Sequence, residues 1–357
     1  MNLSTIIYQV ATDQDAGLKG AGAWRVFLLA LSWVYRSLVA FARFCYRCGF
    51  LPRHDLGRLT VSVGNLTWGG TGKTPLVEWL CRELVARQKR PVVLTRGYMA
   101  DGNVGNGLSD ESRQLEAALG SVPVMVGKDR VASARKALQD YGVDVFVLDD
   151  GFQHWRVKRN LDIVVINASN PFGNGHLIPR GILREPARSL KQADLIVLTK
   201  TDLGRNHLAE LRTRLAAINP QISIVETVHV PRELAVLGSP QARPDVKSLR
   251  GKRVLAFCAI GDPASFRKTL EGAGAQVAEF VAFRDHHRYS ESDVQDLLAL
   301  CRKNDLKTLV TTEKDAVKVK DFGNFFSGHE LWCLKIGIEI TYGKEILLQR
   351  ISDLLQR

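Results

Sequence analysis

The run LTVSVGNLTWGGTGKTPLVEWL, residues 59–80, decides the fold. A β-rich apolar segment leads into a glycine cluster, and an amphipathic segment with helical spacing follows. Gly69, Gly70, Thr71, Gly72, Lys73 and Thr74 have the chemistry of a phosphate-binding loop. Glycines let backbone N–H groups turn toward phosphate oxygens, and the helix that begins there adds its positive dipole end. Lys73 would reach the β/γ-phosphates, and the Thr74 hydroxyl would ligate Mg²⁺. The strict G-x-x-x-x-G-K-[ST] pattern needs glycine at position 67, where this chain has Thr67. The strand before, the helix after and the three glycines ahead of Lys73 outweigh that departure.

A phosphate loop of this kind works with an acidic residue at the end of a later strand. Residues 143–148, VDVFVL, read as a buried strand, and Asp149 and Asp150 stand at its carboxyl end, where parallel sheets bind ligands. One carboxylate would hold Mg²⁺, directly or through water, and the other would orient it. Buried carboxylates without a cation are costly, so a purely structural pair is the weaker reading.

Working outward, apolar runs at 59–63, 91–95, 122–126, 143–148, 161–166 and 194–199 recur, and helical segments at 73–88, 109–119 and 128–141 separate the first four. This alternation predicts an α/β domain with a largely parallel sheet. A looser stretch at 231–251, with Pro231, Gly238, Pro240 and Pro244, reads as a domain junction. Beyond it, strands at 253–260, 276–282, 307–312 and 331–339 and helices near 264–272, 290–303 and 343–356 predict a second, smaller α/β domain. Ser290 and Asp293 form a capping-box pattern for the helix near 290–303. The expected organisation is residues 1–57 as a basic N-terminal helical region, 58–230 as the phosphate-loop core, 231–251 as linker and 252–357 as the C-terminal domain.

The 357 residues carry a formal charge of +12, which suits an anionic partner such as nucleotide phosphates or an acidic lipid surface. There is no zinc-finger spacing, no aromatic–basic RNA-binding signature and no basic tail, so nucleic acid is not the expected partner. Cys45 and Cys48 form the single C-x-x-C, without a second pair to complete a metal site, and read as reduced thiols.

Residues 23–48 are the most apolar segment. The longest uncharged run, Val26 to Tyr35, is ten residues, short of the ~20 that a spanning helix needs. Arg25, Arg36, Arg43 and Arg47 fall within ~40° of one another on a helix, with Ser32 on the same stripe. Such a helix would lie in the membrane interface, its arginines at the headgroups and its wide apolar face in the acyl region. The alternative is a long core helix with one solvated edge. Residues 1–60 hold seven Lys/Arg against three Asp, a net +4, which favours an anionic leaflet.

VGNLTWGGTGKTP followed by LDDGFQH resembles the double signature of the tetraacyldisaccharide 4'-kinases, the lipid A 4'-kinases. Further similarity lies in TRGY at 95–98, VGKDR at 126–130, the G-x-L-R-E-P element at 181–186, FRDHHRY at 283–289 and TTEKDAVK at 311–318, over roughly residues 20–340. The resemblance implies transfer of the ATP γ-phosphoryl group to the 4'-hydroxyl of a tetraacylated glucosamine disaccharide 1-phosphate, at the cytoplasmic face of the bacterial inner membrane. It implies that Lys73 and Thr74 handle ATP phosphates and Mg²⁺, that Asp149 and Asp150 organise the metal, and that Gln153 and His154 point into the same site. It implies Asp110 as the catalytic aspartate and His286 as its partner in an acid–base pair. Glu185 would assist the metal–nucleotide cluster. Arg96, Arg130 and Arg184 would bind phosphate, of ATP or of the lipid, with bidentate geometry. The family usually has glycine before the catalytic aspartate; this chain has Ser109.

The rival reading is a P-loop GTPase or metal-insertion chaperone. Its support is Thr199-Lys200-Thr201-Asp202, which echoes the N-K-x-D guanine-reading motif, but Asp149-Asp150-Gly151 has the wrong spacing for a D-x-x-G switch.

Overall fold

In the computed structural model, the described residues are 3–97, 110–239, 241–285 and 287–356, the side chains of Ser4 and of residues 110–113 excepted. Two helices, α1 (Leu3–Ala11) and α2 (Ala21–Arg47), precede the sheet. The first half then alternates β1 (Leu59–Asn65), α3 (Lys73–Ala86), β2 (Pro91–Thr95), α4 (Asp110–Leu119), β3 (Val124–Val126), α5 (Arg130–Asp140), β4 (Val145–Asp149), β5 (Leu161–Asn167), β6 (Leu195–Thr199) and α6 (Leu208–Ile218). The second half contains β7 (Ser223–Val236), β8 (Arg253–Cys258), α7 (Pro263–Gly272), β9 (Gln276–Ala282), α8 (Glu291–Lys303), β10 (Thr308–Thr312), α9 (Glu313–Val319), β11 (Glu330–Tyr342) and α10 (Lys344–Leu355). The capping box of Ser290 and Asp293 forms at the start of α8.

The expected α/β architecture with two sets of strands is present, but both belong to one sheet. Its order is β3-β2-β4-β1-β5-β6-β7-β11-β10-β8-β9. From β3 to β7 every pairing is parallel, and β4, β5 and β6 are buried on both faces, as continuous Val/Ile/Leu runs require. The pairing of β7 with β11 is antiparallel, so the strands beyond it run the other way. Leu198, near the end of β6, sits beside Glu226, whereas Thr312, at the end of β10, sits beside Leu334 and through it Leu234. The carboxyl ends of the two strand sets therefore face each other across the middle of the β7–β11 ribbon, separated by about eight residues or roughly 25 Å of strand. That is where a parallel sheet binds ligands.

Two boundaries differ from the sequence reading. Residues 231–236, assigned to a linker, are the second half of β7, because the pairing with β11 carries the strand through Pro231 with a register shift at Lys335/Ile336. The terminal helix α10, assigned to the C-terminal domain, packs its Leu347, Ile351 and Leu354 into the core of the first half with Val61, Val77 and Leu80.

Two arginines of the α2 stripe are tied to protein carboxylates. Arg25, itself half exposed, pairs with the buried Asp15 at 2.7 Å, Arg43 pairs with the buried Glu185 at 2.6 Å, and Ser32 is buried between them. Arg36 lies over the ring of the exposed Trp33, and Arg47 is exposed. The opposite, apolar side is largely uncovered by the described residues. Val26, Leu38 and Phe41 are 70%, 63% and 66% exposed, and Phe27, Trp33, Val34 and Phe44 lie on the same open surface. A contiguous apolar surface of this kind marks an interaction face.

Gly64 in β1 shows how closely the site loops approach the sheet. A Cβ there would lie 2.5 Å from both Cβ and N of Phe152. Gly64→Ala should therefore destabilise the chain by about 1–3 kcal/mol, read as a lower urea midpoint at unchanged slope.

Candidate functional site

The phosphate loop leaves the end of β1 and turns into α3. Gly69 and Gly72 hold φ of 92° and 84°, the left-handed region that an L side chain rarely adopts. Gly72 is the residue preceding α3, so the helix opens directly from the loop. Asn65 pins the turn from inside by donating to the Thr67 carbonyl at 2.8 Å and to Thr71 Oγ1 at 3.0 Å. Thr199, at the end of β6, donates to the Thr71 carbonyl at 2.7 Å. The loop is thus preformed by buried hydrogen bonds.

Asp149 and Asp150 follow at the end of β4, next to β1. Asp149 is buried and accepts from Thr95 Oγ1 at 3.0 Å. Asp150 adopts φ 55°, which aspartate tolerates better than most residues. Its carboxylate lies 3.3 Å from Lys73 Nζ and 2.7 Å from Arg184. Burial alone would raise its pKa, but Lys73 and Arg184 more than offset this and hold it well below the ordinary carboxylate range. It is ionised at any physiological pH.

The predicted partners gather around this pair. Gln153 donates to the Asn65 carbonyl at 2.8 Å, and its Oε1 receives Arg184 at 3.3 Å. His154 is held neutral: burial first, then Arg130, Arg159 and Arg156, bring its pKa to about 4. Arg130 is buried, donates to the Gly127 carbonyl at 3.0 Å and feels the charges of Asp149, Asp150 and Arg96. Arg96 is exposed just beyond the end of β2. Thr74 stands in the first turn of α3.

Glu185, expected to assist the metal–nucleotide cluster, accepts from Arg43 with one oxygen, and Arg43 also donates to Ser189. It is buried, and burial raises its pKa against the opposing charge of Arg43. Among the described residues, no group of three or more His, Cys, Asp or Glu is assembled to hold a metal. One hydroxyl and two neighbouring carboxylates nonetheless fit Mg²⁺, which is usually held by one or two carboxylates together with substrate phosphates.

The predicted acid–base pair is only framed. Asp110 is the first residue of α4, and its side chain lies outside the described residues, as does His286 altogether. Their neighbours are placed. α4 packs between α3 and α9, and Asp285 pairs with Lys314 at 2.8 Å. A Cβ on Gly261 would lie 3.2 Å from Asp285 Oδ2 and 2.9 Å from the Gly70 amide nitrogen. Gly261 and Asp285 therefore border the phosphate loop. His287, by contrast, stacks on Phe283 and bonds Asp293 at 3.1 Å, so it belongs to the cap of α8.

Two further contributors are Lys200, which the sequence offers only as part of a guanine-motif echo, and His229, which carries no motif. Lys200, in the left-handed region at φ 55°, donates to Asp262 at 2.7 Å and to the Gly70 carbonyl at 3.3 Å, tying the second half to the loop. His229 of β7 comes within 2.8 Å of where a Gly72 Cβ would stand.

The family model described as tetraacyldisaccharide-1-P 4'-kinase matches residues 24–356. This chain belongs to that family. A tetraacyldisaccharide 4'-kinase from Halothermothrix orenii is 37% identical over 356 residues, covering 92% of each chain. One from Anaeromyxobacter dehalogenans is 37% identical over 344 residues, covering 93% of this chain and 90% of its own. The crystal structure of an LpxK from Aquifex aeolicus in complex with ATP superposes with a TM-score of 0.70 at 27% identity, covering 93% of this chain and 99% of that one. In a tetraacyldisaccharide 4'-kinase the Thr199–Asp202 motif needs no guanine. Thr199 and Lys200 are spent on the phosphate loop and Asp262, and Asp202 is exposed.

Burial brings the His229 imidazole to a pKa of about 4, with Lys200 adding to the depression. Below its ordinary value of ~6.5 the unfolded chain takes up a proton that the folded chain refuses. The stability contribution is thus present above ~6.5 and lost as pH falls toward ~4. Acidification from about pH 7 to about pH 4 should cost the parent about 2–3 kcal/mol more than His229→Gln, measured by urea unfolding at both values.

Proposed function

We propose that the cleft between the two strand sets binds Mg·ATP on the loop 69–74 and delivers its γ-phosphoryl group to the 4'-hydroxyl of a tetraacyldisaccharide 1-phosphate. The kinase activity itself follows from family membership. The observation that supports this assignment of residues is the partly buried charge cluster of Asp150 with Lys73 and Arg184 at the mouth of a preformed phosphate loop. When bound, Mg·ATP supplies the electrophilic phosphorus and the ADP leaving group. The amides of residues 69–74 and Lys73 take the β/γ-phosphate charge. Thr74 and Asp149 or Asp150 offer oxygens to the metal. Arg96 and Arg130, beside Asp149 and Asp150, neutralise charge that develops on the transferred group or on the lipid phosphate.

The acceptor hydroxyl must lose its proton as the new P–O bond forms and the bond to ADP breaks. Asp110 takes it, and His286 shares and relays it. Phosphoryl transfer depends on positioning and charge neutralisation, so closure of the two strand sets over the substrates brings this pair together. The open face of α2, led by Val26, Leu38 and Phe41, enters the acyl region of the anionic cytoplasmic leaflet where the lipid resides.

Lys73→Ala should lower transfer from γ-labelled ATP to tetraacyldisaccharide 1-phosphate in detergent micelles on the order of 10²-fold or more, with chelation of Mg²⁺ abolishing transfer in the parent. Activity unchanged in Lys73→Ala would remove the nucleotide from this loop. Leu38→Asp with Phe41→Asp should release the chain from vesicles rich in anionic lipid in a flotation assay, leaving Mg·ATP binding intact. Retained flotation would move membrane contact to another surface.

A further inference from the structure

The element 177–185 touches two things at once. On one side it braces the phosphate site. Leu183 bridges to Thr67, the Arg184 amide donates to the Leu66 carbonyl at 2.7 Å, and the Trp68 amide donates to the Ile182 carbonyl at 2.9 Å. The Arg184 guanidinium reaches Asp150 and Gln153. On the other side the element rests on α2. Ser32 Oγ donates to the Leu177 carbonyl at 2.8 Å and receives the Arg180 amide at 3.0 Å. Tyr35 Oη donates to the Arg184 carbonyl at 2.9 Å, and Arg43 donates to Glu185 at 2.6 Å.

We infer that Arg43, seconded by Tyr35, is a positioning residue of the nucleotide site, acting through Glu185 and Arg184 on Asp150. This rests on the reading of loop 69–74 as the Mg·ATP site. Arg184 contributes its carbonyl to α2 and its side chain to Asp150, so one residue spans the route between them. Glu185, next in the chain, is a buried carboxylate that requires a cation, and Arg43 is the cation it has. With Arg43 removed, Glu185 must either take up a proton or turn toward another cation, and Arg159 and Arg184 stand nearest in charge and sequence. Either change shifts the backbone that aims Arg184. The apolar face of α2 points the other way, so a single helix carries two separable functions, one on each side.

The test titrates Mg·ATP into the full chain in detergent, without acceptor lipid, and follows flotation with vesicles rich in anionic lipid. Arg43→Met should weaken Mg·ATP binding about threefold or more, the size expected of a residue that acts through intermediates, with flotation unchanged. Arg43→Lys should recover most of the loss, and Tyr35→Phe, which deletes one hydroxyl, should weaken binding by a smaller factor. Parent-like affinity in Arg43→Met would overturn the inference, as would a loss of affinity matched by a loss of flotation. Were Arg43→Met to unfold, parent-like affinity in both Arg43→Lys and Tyr35→Phe would overturn it equally. Lys73→Ala separates the two levels. Weak binding there with normal binding in Arg43→Met sinks only the inference, whereas normal binding in Lys73→Ala removes the nucleotide site on which it stands.

Discussion

Neutralising the partly buried carboxylate of Asp150 is the constraint around which the nucleotide half of this molecule is arranged. An ionised aspartate at the end of a central strand is tolerable only with cations in contact, and it has two, from elements far apart in sequence. Lys73 comes from the helix that follows β1. Arg184 comes from an irregular element that would have no fixed position alone, and so is paired to Thr67 and seated on α2. Each support is itself anchored by a buried polar contact: Asn65 under the loop, Thr199 beside it, Glu185 against Arg43. The hydrophobic clusters beneath are ordinary for an α/β sheet; the polar network above them fixes one loop geometry.

The second strand set reaches the phosphate loop itself through backbone and an ion pair. Gly261 packs against Gly70, and Lys200 reaches Asp262 while also holding the Gly70 carbonyl. Lys200 does so from a left-handed backbone that costs a non-glycine residue about 1–2 kcal/mol. Strain of this sort next to a ligand loop persists only where surrounding contacts over-determine it, and here they couple the phosphate loop to the facing half of the sheet.

Much of this was legible in the sequence. The glycine cluster, Lys73, Asp149 and Asp150 carry local chemistry that survives translation into one-dimensional text, and strand runs such as 161–166 announce themselves by continuous apolarity. What could not be read depends on contacts between distant residues. The arginines of α2 are spaced to share a face, but spacing does not say which of them meet carboxylates; Arg25 finds Asp15 and Arg43 finds Glu185. Residues 231–236 looked like linker because of Pro231, yet a two-stranded ribbon accommodates the proline at a register shift. Glu185 had the chemistry of a metal ligand, and only its proximity to Arg43 reveals another commitment. His229 bears no motif and Lys200 only a misleading one, since their part is to touch a loop more than 120 positions earlier in the chain.

The β7–β11 ribbon has a consequence for how such a chain could have been built. Val236 lies directly across from Trp332, so the polypeptide leaves the ribbon and re-enters it at adjacent points. Everything between them, including β8, β9 and β10, is topologically an insert at the tip of a hairpin, and α10 completes the other core after the insert has ended. A compact ancestor closed by a short turn between β7 and β11 would have kept its phosphate loop, its Asp150 cluster and its own hydrophobic core. The facing half is thus a module that the chain enters and leaves at one place, without interrupting the core beneath the nucleotide loop.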